Sequence, residues 1–114
     1  MCGRCQHKLP PDAAFWFGVG HAQRVLARIA RSADALDEAE SKLTEALETF
    51  QSIGAEFEVA RVRLELADLA GHRRDRERAR THLDPARLTF ERLRVPRYLD
   101  RADRLARELG LTRD

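Results

Sequence analysis

The residues best suited to chemistry stand at the start of the chain, where Cys2 and Cys5 form a Cys-x-x-Cys pair. Such a pair is half of the four-ligand set that a structural zinc site uses. His7 and His21 could complete the set, but their spacing from the pair fits no standard zinc module. A redox role would need a βαβ pattern around the pair, and none surrounds it. The sequence therefore predicts no bound metal and no cofactor, with Cys2 and Cys5 as a weak metal candidate only.

A second chemical feature is a basic run near the middle of the chain, broken by Asp75 and Glu77. Its arginines are Arg73, Arg74, Arg76, Arg78 and Arg80. Guanidinium groups bind phosphates, so one hypothesis is a small nucleic-acid-binding protein that uses this run. No aromatic residue accompanies the run, and the net charge of +2 is too small to indicate a nucleic-acid partner. A solvated helix start is the favoured interpretation, and nucleic-acid binding is the alternative.

Catalytic groups are not evident in the sequence. The histidines are His7, His21, His72 and His82. None has a neighbour in sequence that would fix it as part of a Ser-His-Asp or Cys-His arrangement. The paired carboxylates lie on repetitive polar faces, where solvation explains them. The chain is therefore predicted not to be an enzyme.

Helices must position all of these residues, because apolar residues recur at spacings of three and four. The predicted helices cover about 15–31, 34–53, 56–70, 74–93 and 96–109. Asp12 is the expected N-cap of the first helix, and Ser32 or Asp34 of the second. Gly71 is expected to end the third helix as a C-cap. Pro85 predicts a kink in the fourth.

The helices repeat along the chain. Five apolar positions of the second helix return 40 residues later in the fourth, from Ala39 and Ala79 to Ile53 and Leu93 (79 − 39 and 93 − 53). A fixed period with two helices in each unit is typical of a stacked helical repeat. The predicted fold is all-α, with antiparallel helix-turn-helix repeats over 15–114 after a non-periodic leader at 1–14.

The sequence from about 20 to 109 resembles a tetratricopeptide repeat region. The resemblance rests on Leu-Glu-Leu-Ala at 64–67, Ala-Arg-Thr-His-Leu at 79–83, and Pro96. The small and large residues of that motif fall on Leu66, Ala67, Ala70, Ala79, Leu83 and Ala86. The period of 40 exceeds the usual 34. Such longer helices are similar to those in the C-terminal part of bacterial ATPase-linked LuxR-type regulators and adenylate or guanylate cyclases.

That resemblance implies a right-handed α-solenoid of about two and a half repeats. It implies a protein–protein interaction module, a scaffolding or sensory piece of a bacterial signalling or transcription-regulatory protein. The effector parts of those proteins are not visible, since no G-x-x-x-x-G-K-[ST] phosphate loop occurs. We expect a protein or peptide partner, and a chain that is either the C-terminal piece of such a protein or the product of a short gene descended from one.

The resemblance also implies a concave groove lined by the first helix of each pair. The groove positions that it implies are His21, Arg24, Arg28, Arg61, Leu64, Asp68, Asp100, Asp103 and Arg107. Such a groove would hold an extended or helical peptide through charge pairs and apolar pockets. An ordinary solvated surface is the alternative interpretation.

The first predicted helix carries more apolar residues than one helix face can bury. They are Phe15, Trp16, Phe17, Val19, Val25, Leu26 and Ile29. We expect the leader, an upstream repeat or a second copy of the chain to cover them, with self-association through this end as one outcome. The fifth helix instead has one apolar and one charged face, as a terminal capping helix requires.

The composition agrees with a folded chain of ordinary solubility. Hydrophobic residues make up 43% of the 114 residues and charged residues 35%. No run approaches the roughly 20 apolar residues of a transmembrane helix, and no signal-peptide pattern opens the chain. Two cysteines do not form a disulfide framework. The sequence therefore predicts a cytoplasmic protein without a membrane partner.

Overall fold

The computed structural model of the chain describes residues 12–111. Within this range the chain forms five helices and no strand: α1 Ala13–Ser32, α2 Leu36–Ser52, α3 Glu56–His72, α4 Arg76–Arg92 and α5 Pro96–Glu108. The all-α prediction is confirmed for these residues. The predictions for Cys2, Cys5 and His7 fall outside the described residues.

Helix boundaries recur at a fixed interval along the chain. The helices α2 to α5 begin at 36, 56, 76 and 96, and α1 to α4 end at 32, 52, 72 and 92. Each of the four junctions between them closes with the same backbone hydrogen bond, in which an N–H donates to the carbonyl five residues earlier. The bonds run from Ala35 to Ala30, Ala55 to Phe50, Asp75 to Ala70, and Val95 to Phe90, at 2.8 to 3.0 Å. This is the Schellman motif, which satisfies the last carbonyls of a helix.

The second residue past the end of each helix adopts a left-handed backbone conformation, as the Schellman motif requires. These residues are Asp34, Gly54, Arg74, Arg94 and Gly110, with φ between 59° and 68°. The expectation that Gly71 ends the third helix is therefore wrong, because α3 continues to His72 and Arg74 takes the left-handed position. Gly71 serves packing instead, since a Cβ there would lie 2.5 Å from Cδ2 of Leu109, the C-cap residue of α5.

The expected side-chain caps differ from those in the structure. Asp12 is the N-cap residue of α1, but its carboxylate accepts a bond from the Trp16 indole Nε1–H, 3.0 Å away, and caps no backbone N–H. Neither Ser32 nor Asp34 caps α2, because the N-cap position is Ala35. Asp34 has the left-handed backbone conformation of the preceding junction, so the N-cap position of α2 falls on the next residue, Ala35.

Helix α4 continues through Pro85 from Arg76 to Arg92. Its start is fixed by Asp75, whose Oδ1 accepts a 3.0 Å hydrogen bond from the Arg78 backbone N–H. A capping aspartate of this kind stabilises a helix by about 1 kcal/mol. The basic run therefore spans the start of α4, which is capped by Asp75.

The chain divides into two compact units, residues 1–56 and 57–114. The described helices of the first unit are α1 and α2, and those of the second are α3, α4 and α5. Leu66, Ala67, Ala79, Leu83 and Phe90 of the second unit are all buried.

In the first unit, α1 and α2 pack around the fully buried ring of Phe50. Gly20 lies directly beneath this ring, where a Cβ would meet Phe50 Cζ at 2.5 Å. The rings of Phe17 and His21 stand edge-on to Phe50, with centroids 5.5 and 5.3 Å away. Because the N-terminal half of α1 meets the C-terminal end of α2, the two helices are antiparallel.

In the second unit, three aromatic rings mark how the helices align. Phe57 at the start of α3 meets Phe90 at the end of α4, with centroids 6.1 Å apart. Tyr98 at the start of α5 lies 5.3 Å from each of these two rings. Helix α3 is therefore antiparallel to α4 and parallel to α5. One buried apolar cluster of this unit contains Ala60, Leu64, Ala67, Leu83, Ala86, Phe90, Ala102, Leu105 and Ala106.

Candidate functional site

A groove runs between the parallel helices α3 and α5 of the second unit, with a volume of about 280 Å³. Its lining is Leu64, Glu65, Asp68, Arg101, Arg104, Leu105 and Glu108. Leu64 and Leu105 are 7% and 9% exposed, so they form the floor. The other five residues are charged and form the rim. A groove with an apolar floor and a charged rim can hold a peptide side chain and pair with its charged neighbours.

Helical periodicity places these side chains together. Leu64 and Asp68 are four residues apart on α3, and Arg101, Arg104 and Glu108 follow one face of α5 at spacings of three and four. The α3 side of the rim is acidic. The α5 side carries both groove arginines, so the two rims differ in charge.

An aromatic and guanidinium cluster lies against the same pair of helices. The Arg61 guanidinium lies 5.5 Å from the Phe57 ring centroid and 5.7 Å from that of Tyr98. Arg101 lies 5.0 Å from the Tyr98 centroid. Contacts of this type contribute about 0.5–1 kcal/mol each at exposed sites. Since Arg101 also lines the groove, the Tyr98 ring helps to hold one wall of the groove in place.

Arg61 is held from a second side by Glu58. Their side chains form an ion pair of 3.2 Å, and the Glu58 side chain is only 10% exposed. Burial strengthens a charge pair because water screens it less. Arg61 therefore belongs to the packed wall beside the groove, and its exposed fraction is 24%.

The structure brings together only some of the residues predicted for the groove in this unit. Leu64 and Asp68 line it. Asp100 and Arg107 are exposed on α5 outside the lining. Asp103 accepts a 2.8 Å hydrogen bond from Arg87 Nε of α4, and its Oδ1 forms an ion pair with Arg87 Nη2 at 2.7 Å. The bond to α4 turns Asp103 away from α3.

Sequence analysis missed Glu65 of α3 and the four groove residues of α5: Arg101, Arg104, Leu105 and Glu108. The signal that identifies the three charged α5 residues is the period of 40 itself. Adding 40 to 61, 64 and 68 gives 101, 104 and 108, whereas the predicted positions 100, 103 and 107 are one residue short. One residue rotates a helix position by about 100°, which moves a side chain from the groove to its flank.

The three groove positions predicted in the first unit differ from one another in burial. His21 is half-buried against the rings of Phe17 and Phe50, with the Phe17 centroid 4.9 Å away. Arg24 is 6% exposed and belongs to the interior of the unit. Arg28 is exposed. Arg28 is thus the position of the three that presents its side chain to solvent.

The basic run is exposed throughout, and Arg76 and Arg78 both contact residues at the ends of helices. Arg78 Nε lies 3.7 Å from the Asp75 carboxylate that also caps α4. Arg76 donates a hydrogen bond to the Gly110 carbonyl at the end of α5. These contacts fix the start of α4, and nothing in them recognises a phosphate. Nucleic-acid binding by the run stays a prediction.

Metal and membrane sites were sought in the part of the chain that the structure describes. Residues 12–111 contain no group of three His, Cys, Asp or Glu side chains arranged to hold a metal ion. None of the described helices combines the length and the apolar character needed to span a membrane. No family model, curated protein or solved structure matches the chain. The resemblance to tetratricopeptide repeats therefore stays a prediction from the sequence.

Proposed function

We propose that the chain is a protein-interaction module of the tetratricopeptide type, which holds a peptide in the groove between α3 and α5. The observation that supports this proposal is the pairing of a buried leucine floor with a rim of five charged residues. The module would be a scaffolding or sensory piece of a cytoplasmic bacterial signalling or transcription-regulatory protein. It would act by binding and not by catalysis.

The groove chemistry specifies what kind of peptide it would take. An extended peptide directs successive side chains to opposite sides. Acidic side chains on one side would meet Arg101 and Arg104, basic side chains on the other would meet Glu65 and Asp68, and an apolar side chain would rest on the leucine floor. The volume of about 280 Å³ lies near the lower end for ligand pockets, about 300–1,000 Å³. We therefore expect a short segment with micromolar affinity.

The experiment is a titration of isotope-labelled protein, followed by NMR, with a peptide set in which acidic, basic and apolar positions alternate. Arg104→Glu should weaken the best binder at least about tenfold, because one attractive contact becomes repulsive. Arg107→Glu is the matched control, since it makes the same change one turn away, outside the groove lining. Asp68→Lys tests the opposite rim in the same way.

The result that supports the proposal is a set of shift changes along α3 and α5, with weaker binding in Arg104→Glu and unchanged binding in Arg107→Glu. Arg104→Glu should also move the preference of the facing peptide position from acidic to basic. Equal losses in Arg104→Glu and Arg107→Glu would show general electrostatic attraction and would overturn the groove assignment. Absence of binding across the peptide set at millimolar concentration would overturn the peptide-binding function.

A further inference from the structure

The outward side of α1 carries no charged residue from Phe15 to Ile29. The residues on this side, named here the α1 apolar face, are Phe15, Gly18, Ala22, Val25, Leu26 and Ile29. Four of them are large and well exposed: Phe15 by 64%, Val25 by 50%, Leu26 by 47% and Ile29 by 59%. The opposite side of the helix packs in the first unit through Gly20, Ala27 and Ala30, so α1 has two apolar sides.

Comparison with the other helices shows that this exposure is unusual for the chain. Leu88 on α4 is also exposed, by 67%, but its helical neighbours Asp84, Glu91 and Arg92 are charged. The residues 40 positions after Leu26 and Ile29 are Leu66 and Leu69, which are only 3% and 1% exposed. A contiguous exposed apolar face of this kind marks an interaction surface.

We propose that the α1 apolar face binds the same face of a second copy of the chain, with the two helices antiparallel about a two-fold axis near Ala22. The spacing along α1 makes the face self-complementary. Phe15 and Ile29 each lie seven residues from Ala22 (22 − 15 and 29 − 22), so Ile29 of one copy meets Phe15 of the other. An isologous interface requires this reciprocal pairing.

Residue sizes agree with the same register. Gly18 lies four residues before Ala22 and Leu26 four residues after it, so Leu26 of one copy packs over Gly18 of the other. Ala22 meets its own symmetry mate at the centre. Small residues opposite large ones allow two helices to approach closely, as ridges fit into grooves. Among the described residues 12–111, a Cβ at Gly18 would have no neighbour within 4 Å, which leaves room for a side chain of a second copy.

The electrostatics of the face favour a second copy. Two uncharged faces meet without the like-charge repulsion that opposes most self-association. At the edge, Arg28 lies six residues after Ala22 and Phe17 five before it, so the guanidinium of one copy comes beside the half-exposed Phe17 ring of the other. Such a contact is favourable as a cation–π interaction.

The size of the face predicts the strength of the dimer. The exposed parts of its large side chains amount to roughly 400–500 Å² per copy, whereas a standard stable interface buries about 800 Å² per partner. We therefore expect a reversible dimer with micromolar affinity. The α1 apolar face belongs to the first unit and the peptide groove to the second, so either proposal can fail without the other.

Sedimentation equilibrium of the full chain from about 1 to about 300 µM tests the dimer. Wild type should pass from monomer to dimer in this range. Leu26→Glu and Ile29→Glu should each weaken association at least about tenfold, because the charge must be buried against an apolar surface. Leu88→Glu is the matched control, with equal or greater exposure and the same change, and should associate like wild type.

A wild-type chain that stays monomeric at every concentration would overturn the proposal. Such a result would leave the face to another chain or an upstream repeat. Equal weakening by Leu88→Glu would also overturn it. Circular dichroism at equal concentration controls for folding, since all three leucine and isoleucine positions are exposed.

Gly18→Leu separates a specific register from general apolar attraction. The replacement adds apolar surface and removes a helix-weakening glycine, so general attraction would strengthen association. In the proposed dimer the new side chain collides with Leu26 of the second copy, and association should weaken several-fold. Stronger association of Gly18→Leu would overturn the register.

Cross-linking tests the position of the two-fold axis. In a chain with Cys2 and Cys5 replaced by serine, Ala22→Cys should form a disulfide-linked dimer with oxidised glutathione, because both thiols lie on the axis within disulfide reach. Ala33→Cys, at an exposed position 11 residues from Ala22, is the control and should not cross-link. Equal cross-linking at both positions would overturn the antiparallel arrangement.

Discussion

Replacing Arg74 and Arg94 by glycine should stabilise the protein. Both arginines hold the left-handed position after a helix, with φ of 65° and 59°. This conformation costs a residue with a Cβ about 1–2 kcal/mol, and glycine avoids that cost. Glycine also makes the unfolded chain more flexible, which opposes the gain by about 0.4–1 kcal/mol. The net stabilisation should be about 0.5–1 kcal/mol for each replacement.

The backbone bonds of the junction do not depend on these side chains. The Arg74 N–H donates to the Gly71 carbonyl at 3.0 Å, and the Asp75 N–H to the Ala70 carbonyl at 2.9 Å. Glycine at 74 keeps both bonds, so the gain is a property of the backbone alone. For a chain of this size we expect Tm to rise by about 2–4 °C for each replacement. The two sites lie in separate junctions, so their effects should add.

Thermal and urea denaturation, followed by far-UV circular dichroism, measure these changes. Arg80→Gly is the matched control, because it makes the same replacement on an exposed face inside α4 and should cost about 1 kcal/mol. Gly54→Ala reverses the change at a junction that already has glycine, and should destabilise. If Arg74→Gly lowered Tm as Arg80→Gly does, the left-handed cost assigned to these junctions would be refuted.

Four further predictions test packing and sites. Gly20→Ala should destabilise the first unit by about 1–3 kcal/mol in urea denaturation, because the new methyl group meets the buried Phe50 ring at 2.5 to 2.8 Å. Gly18→Ala, two residues away with open space around it, should instead stabilise by about 1 kcal/mol under dilute conditions, and equal signs would contradict the packing argument. Phe90→Ala should cost about 3–5 kcal/mol by cavity formation, and a loss under about 1 kcal/mol would contradict its role in the core. A strong chelator should leave Tm unchanged if Cys2 and Cys5 hold no structural metal, and a large drop would reveal a metal site. Retention of the chain on immobilised DNA should be weak and insensitive to charge reversal in the basic run, whereas steeply salt-dependent retention would favour nucleic-acid binding.

The existence and order of the helices could be predicted because apolar spacing reports a buried face directly. Their ends were harder to predict. Glycine is the usual signal for a helix end, but here Asp34, Arg74 and Arg94 take the left-handed position that glycine favours. Gly71 gave a false signal, because its lack of a Cβ makes room for Leu109.

The candidate groove was predictable in part. Leu64 and Asp68 follow from the helical face that the repeat pattern assigns to α3, and the structure places both in the lining. Predicting the groove residues of α5 would have required the exact register between α5 and α3, two helices whose sequences differ. Asp103 is polar and its spacing along α5 is compatible with a groove position. Only its hydrogen bond to Arg87 shows that it faces α4. Contacts between helices that are distant in sequence carry that information, and a single sequence does not display them.

The uniform junctions bear on how the chain tolerates changes in length. Because the helices α2 to α5 begin every 20 residues and the junctions between helices close with the same bonds, the backbone restarts each helix from the same local geometry. Duplication of a 40-residue segment at a junction, such as the one at Arg74, would preserve the phase of every apolar face. Insertion of one residue inside α3 would instead turn the rest of that helix by about 100° and bury charge. The chain length should therefore change by gain or loss of entire helical pairs through recombination. Short insertions and deletions within helices should be removed by selection.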